Sequence, residues 1–179
     1  FNDSQRKATK DAGLIAGLLS MAAPTVHAAQ GSYVYTPTHG ASCADRSREG
    51  FGRWRCPGPA GYVAEYTDEG NIAGIALWHP TRQQRSPLSV SWRGAGRVLG
   101  DKLEWRMTAG LPYAAILRIW RIDAAADGRE REVEELMVLR VSPIGACRVA
   151  SVNARQLQAN EIAQRMSNSA ATSPCLAEP

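Results

Sequence analysis

Histidine supply limits the chemistry open to this chain. Its 179 residues include three histidines, His27, His39 and His79, and none stands at the spacing of a zinc-protease helix. No serine lies in the glycine-flanked elbow of the common hydrolases. The four cysteines, Cys43, Cys56, Cys147 and Cys175, show neither the spacing of metal knuckles nor that of paired redox thiols. Glu130, Glu132, Glu134 and Glu135 cluster beside an expected hairpin tip, where they read as solvated charge and not as the acid pair of a glycosidase. The run from Gly94 to Gly100 superficially follows a dinucleotide fingerprint. Its third glycine is one residue late and a strand pattern follows, so no helix N-terminus is there to hold a pyrophosphate. The residue types therefore predict no catalytic constellation, no metal site and no cofactor.

Arginine gives the better indication of function. Almost all positive charge after residue 28 is arginine, since Lys102 is the one lysine there. Arginine favours planar, two-pronged contacts with carboxylate and phosphate groups. Arg53 and Arg55 lie in or beside the first cysteine loop, and Arg93 and Arg97 flank the middle of the chain, with Trp54 and Trp92 close to them in sequence. Together these six side chains form a candidate surface for an anion or a carbohydrate. The formal net charge of +4 is modest, and no recognition motif for nucleic acid accompanies it. A nucleic-acid partner is not expected. An envelope protein, a glycan or an anionic ligand is.

The first thirty residues point to the cell envelope. Arg6, Lys7 and Lys10 form a basic lead, Ala12 to Ala23 is an apolar run, and Val26-His27-Ala28 places small residues three and one before a cut. This is the layout of a secretory signal peptide over residues 1–28. The apolar run is about a dozen residues, against the roughly 20 that a bilayer span needs. No longer apolar run follows, so no membrane span is expected in the mature chain, and a periplasmic or secreted location is. Residues 29–179 have the usual extent of one domain.

An exported location turns the four cysteines into a disulfide set. Four cysteines permit three pairings, of which the sequential one is preferred. Cys43 and Cys56 bracket a polar loop between two strand candidates, and Cys147 and Cys175 bracket the last strand and a helix. By loop entropy each bond contributes on the order of 3 kcal/mol, a large share of a domain's net stability.

Elements of period two must position these residues. Leu88, Val90 and Trp92 alternate with serines and Arg93. Leu103, Trp105 and Met107 alternate with Lys102, Glu104 and Arg106. Each run reads as a strand with one wet face, and the intervening glycines predict that the two pair with each other. Further strands are expected at Ser32 to Thr36, Gly61 to Thr67, Ile72 to Trp78, Tyr113 to Ile122, Leu136 to Val141 and Arg148 to Val152. A tight turn is expected at 68–71, and a hairpin tip at Ala124 to Arg131. One helical pattern spans about Ala154 to Asn168, with Ala159, Ile162, Ala163 and Met166 on one stripe. The expected fold is α+β: mainly an antiparallel β-sheet meander with one C-terminal amphipathic helix packed on the sheet.

Several segments resemble a group of small exported, periplasmic proteobacterial proteins with no assigned function. They are Cys56-Pro57-Gly58-Pro59-Ala60-Gly61-Tyr62, Glu104-Trp105-Arg106, Gly110 to Ile116, Cys147-Arg148-Val149-Ala150, Ala159-Asn160 and Cys175. The resemblance implies an exported, disulfide-containing domain and brings no catalytic residues with it. The reading that follows is a non-enzymatic periplasmic binding or interaction module. The alternatives are an envelope hydrolase acting on a glycan or ester, and an inhibitor or chaperone of an envelope enzyme that presents the loop from Thr38 to Arg55.

Overall fold

The computed structural model describes residues 32–82, 89–94, 96–124 and 127–177. The expected leader at 1–28 lies outside them, as do Leu88 at the start of one expected strand and residues 125–126 at the expected hairpin tip. The strands in chain order are β1 (Ser32–Pro37), β2 (Ala44–Asp45), β3 (Gly52–Pro57), β4 (Val63–Asp68), β5 (Ile72–Trp78), β6 (Ser89–Arg93), β7 (Leu99–Thr108), β8 (Leu111–Ala124), β9 (Glu130–Ser142) and β10 (Gly145–Asn153), and the helix α1 (Ala159–Ser167) follows. They form two five-stranded sheets, β1-β7-β8-β9-β10 and β2-β3-β4-β5-β6, in which every pair is antiparallel. We call these the first and the second sheet. An antiparallel β structure carrying one C-terminal helix is the expected α+β class.

The meander is divided between two sheets, with β2 to β6 in one and β7 to β10 in the other, and the division has a local cause. The strand patterns of β6 and β7 were expected to pair with each other, but β6 pairs with β5 and β7 with β1 and β8. The segment between them crosses from one sheet to the other. Gly94 makes the crossing possible, because a Cβ there would lie 2.5 Å from Cγ1 of Val98 and 3.2 Å from the Trp120 carbonyl. Val98 itself is buried in the core.

The inner faces of both sheets fill one core. Tyr66, Ile75, Leu77, Val90 and Trp92 come from the second sheet, and Leu103, Trp105, Leu117, Met137 and Leu139 from the first. A second core lies on the other face of the first sheet, where Ile116, Leu136, Val138 and Val152 meet Ala159 and Ala163 of α1. The first sheet is thus covered on both faces. Side chains alternate between faces along a strand, so Ile116 and Leu117 serve different cores.

A register shift between Arg148 and Ala150 makes β10 fit both layers. Ala146, before the shift, packs in the inter-sheet core. Val152, an even number of residues later, packs under the helix. A one-residue slip in a strand exchanges its faces. Cys147 stands opposite Arg140 and bonds to Cys175, which fastens the tail after α1 to the sheet. Cys43 bonds to Cys56, so both sequential pairs are present. The helix buries Ala159, Ala163 and Ser167, while Met166 of the expected stripe is 42% exposed. The apolar stripe is displaced by one residue at its C-terminal end because Ser167 and Ala170, not Met166, fall at the buried turns.

Trp105 is the largest fully buried side chain. Its indole N–H donates to Oγ1 of Thr36 at 2.8 Å, and the Tyr62 ring meets it edge-on with centroids 6.3 Å apart. Gly58 runs directly against it: a Cβ there would lie 2.8 Å from Cζ2 of Trp105 and 3.0 Å from the Tyr62 carbonyl. Backbone and a ring held from both sides cannot both yield. Gly58→Ala is expected to lower the unfolding free energy by about 2 kcal/mol, read as a lower urea midpoint with an unchanged slope.

Candidate functional site

The alternation Arg53-Trp54-Arg55-Cys56 on β3 decides which of the expected site residues meet. Cys56 is turned into the core by its disulfide and by burial, and Trp54 shares its face, stacking on Tyr66 with centroids 5.9 Å apart. Arg53 and Arg55 therefore stand on the opposite, outer face of the second sheet. In the antiparallel register Arg55 lies opposite Glu65 and Arg53 opposite Thr67.

Glu65 is the organising residue. Its side chain is 7% exposed, while those of Arg53 and Arg55 are 42% and 44% exposed. Nη2 of Arg53 donates to Oε1 at 2.6 Å, and Nε of Arg55 donates to Oε2. The guanidinium of Arg55 also lies 5.3 Å from the ring centroid of Trp78, within cation–π range. Burial pushes the Glu65 carboxyl up, but hydrogen bonds from the two guanidinium groups outweigh it and hold the group below its ordinary value. One carboxylate thus holds two cations, leaving a local excess of one positive charge. Each guanidinium has five N–H donors, and Glu65 engages one nitrogen of each. The donors that remain suit the paired oxygens of a second carboxylate, phosphate or sulfate.

Beyond this pair the same face carries small side chains. Thr67 lies opposite Gly74 and Glu65 opposite Ala76, and on β6 Ser91 and Ser89 continue the two rows. Gly74 leaves room for the Thr67 hydroxyl, since a Cβ there would lie 2.6 Å from Oγ1 of Thr67. Arg93 occupies the far corner of the face and pairs with Glu130 at 2.6 Å.

The six expected site residues do not form one surface. Arg53, Arg55 and Arg93 share the outer face of the second sheet. Trp54 packs against the inter-sheet core and Trp92 is buried within it. Arg97 lies over Trp120, with its guanidinium carbon 4.6 Å from the ring centroid, and donates to Asp101 at 3.0 Å. The tryptophan that accompanies the arginine pair is Trp78, and the residue absent from the expected set is Glu65. The disulfide held the clue, because an inward Cys56 forces Arg53 and Arg55 outward and brings the neighbouring strand's carboxylate beneath them.

A second charged cluster holds layers together. On β7, Glu104 and Arg106 are each 8% exposed, so the face expected to be wet is covered. Glu104 accepts from Nη1 of Arg106 at 3.1 Å, from the Tyr35 hydroxyl at 3.0 Å and from Nε2 of Gln164 at 3.4 Å. One carboxylate therefore ties β1, β7 and α1. Desolvation and the hydrogen bond to Glu104 raise the Tyr35 phenol above its ordinary value.

His79, Glu134 and Glu135 have partners of their own. Nδ1 of His79 and the Thr81 hydroxyl share a hydrogen bond of 2.8 Å. Glu134 accepts from Arg118 at 2.5 Å and Glu135 pairs with Arg121 at 2.8 Å. Among the described residues no group of three or more histidines, cysteines and acids is placed to hold a metal ion. No family model, curated protein or solved structure matches the chain.

The Glu65 arrangement carries a pH signature. A carboxyl whose folded pKa is depressed contributes stability above its unfolded value, about 4.3, and that contribution is lost as pH falls through the lower folded value. Glu65→Gln is expected to cost about 1 to 2 kcal/mol near neutrality, less than for a fully buried pair because both arginine side chains are partly exposed and water screens them. Urea unfolding of both proteins between neutral and acid pH should show the gap closing below about pH 4.

Proposed function

We propose that residues 29–179 form a non-enzymatic binding module that is exported past the leader at 1–28 to the periplasm or beyond, and that it takes an anionic group on a glycan or an envelope protein. Support for export comes from the leader's layout, the two disulfides and the resemblance to small exported proteobacterial proteins. Among the described residues no helix is long and apolar enough to cross a membrane. The observation that carries the binding reading is the pair of exposed guanidinium groups fixed over buried Glu65 beside Trp78.

The pair is pre-organised. Long side chains ordinarily lose rotamer freedom on binding, at about 0.5 to 1.5 kcal/mol each. Here Glu65 fixes both arginines beforehand, and Trp78 backs one of them. An anion entering above them meets two half-exposed guanidinium groups already held in place, with Thr67, Ser89 and Ser91 on the same face as hydroxyl partners.

The test is a titration followed by tryptophan fluorescence and by amide chemical shifts, with a uronic-acid oligosaccharide, a neutral oligosaccharide of equal length and inorganic sulfate as probes. The acidic oligosaccharide is expected to bind and the neutral one not. Arg53→Gln/Arg55→Gln should weaken the acidic ligand at least about tenfold, or about 1.4 kcal/mol, while Arg97→Gln leaves it unchanged. Equal binding by the double variant, or binding of neither anion, would remove the reading.

A further inference from the structure

We propose that β1 is a dimerisation edge, at which a second copy of this chain adds its own β1 antiparallel about a two-fold axis through Val34. This concerns a different sheet from the arginine pair and does not depend on the anion-binding reading.

Exposed sheet edges present unpaired backbone groups, and soluble proteins guard them with charge, proline, brevity or cover. Among the described residues the other three edges are guarded. β2 has two residues. β6 ends on Arg93, which pairs with Glu130. β10 is crossed by the tail, where the Leu176 N–H donates to the Arg148 carbonyl at 2.8 Å and Cys175 is bonded to Cys147. Among the described residues β1 pairs on one side with β7 and stands at the sheet's end. It runs six residues with no charged side chain and one guarding proline at its end, Pro37, and it exposes Tyr33 by 56%, Val34 by 42% and Tyr35 by 50%.

The backbone says which groups face outward. The Thr38 N–H donates to the Asp101 carbonyl at 3.1 Å, toward β7. Alternation along the strand points the N–H and C=O of Thr36 and Val34 the same way, and those of Tyr33 and Tyr35 to the open edge. Pro37 falls in the outward set, where a residue without an N–H leaves β7 no missing donor.

The sequence is self-complementary in that phase. Ser32-Tyr33-Val34-Tyr35-Thr36 reads as hydroxyl, aromatic, β-branched, aromatic, hydroxyl in both directions. With the axis at Val34, Tyr33 meets Tyr35 of the second copy and each such pair exchanges both backbone hydrogen bonds, about four in all. Ser32 meets Thr36, and the two Val34 side chains meet at the axis. Matched aromatic and β-branched pairs are the favourable cross-strand partners. Moving the axis to Tyr35 would set Tyr33 against Pro37, which has no N–H to give, and moving it to Tyr33 would set Ser32 against Val34. The first sheets of the two copies, five strands each, would join into one of about ten strands, and neither β1 brings a charged side chain to the seam.

The test follows the mass of the folded chain by sedimentation equilibrium from low micromolar to submillimolar concentration. The wild type is expected to pass from monomer to dimer. Val34→Lys, which sets two ammonium groups against each other at the axis, should remain monomeric throughout. A second variant keeps the test decisive if that one folds poorly. Residues opposed at a non-hydrogen-bonded position have Cα atoms about 4.5 Å apart, within disulfide reach. Val34→Cys should therefore cross-link to itself under mild oxidation, with the 34–34 bond identified by peptide mapping, at least about ten times faster than Ser32→Cys, whose neighbour across the seam is Thr36. A wild type that stays monomeric, a Val34→Lys variant that dimerises equally, or equal cross-linking at 32 and 34 would overturn the proposal. So would a doubled mass made up by a different protein held on β1.

Discussion

Coverage of the first sheet on both faces is the constraint from which the other features follow. A sheet buried on one side can alternate apolar and polar residues. β8 and β9 cannot, and they bury consecutive residues such as Ala114 to Leu117 and Leu136 to Leu139. One face needs the second sheet and the other needs the helix. β10 satisfies both by shifting register at Arg148, and the Cys147–Cys175 bond holds the tail that leaves the helix. Loop entropy gives that bond, which closes 28 residues of sequence separation, on the order of 3 to 4 kcal/mol.

Charge that this arrangement covers is neutralised by arginine. Glu65 and Glu104 are both nearly buried, and an unpaired carboxylate in either place would be costly. Their consequences differ because their surroundings differ. Glu104 is enclosed by a buried arginine, a tyrosine and a helix glutamine, so it joins three elements and leaves no open donor pair. Glu65 lies beneath two arginines whose outer parts are in water, so the same chemistry holds two cations ready at a surface. The first sheet thus spends its carboxylate on cohesion, and the second presents its arginines outward.

Much of the fold was legible in the residues, and the failures are local. Alternation identified β6 and β7, whose apolar residues all face the inter-sheet core. The hairpin at 68–71 and the disulfide pairing were likewise readable, the latter because each pair brackets a closed segment. β2 and β3 were not recognised, since Arg53-Trp54-Arg55 hides a period-two pattern inside a polar loop. Sheet membership was invisible as well: Gly94 to Gly100 has the composition of a hairpin turn, and only the fit of Val98 beneath the sheets shows that it is a crossing. Glu104 and Arg106 looked wet because charge on alternate positions usually is. Their neighbours are distant in sequence: Glu104 is met by Tyr35 of β1 and by Gln164 of the helix, 60 residues on, and Arg106 by the Tyr33 ring. For the site, residue type pointed to arginines correctly as a class but grouped side chains that the pleat separates, since neighbours such as Arg53 and Trp54 must point to opposite faces.

Residue-resolved native-state hydrogen exchange tests the central claim most directly. If the doubly covered sheet is the unit on which the rest depends, amides at Ala115 to Ile119 and Met137 to Leu139 exchange only through global unfolding, while those of α1 and of β3 to β6 exchange through smaller openings. The account is contradicted if amides of the second sheet outlast those of β8 and β9, or if β8 and β9 open as readily as the helix.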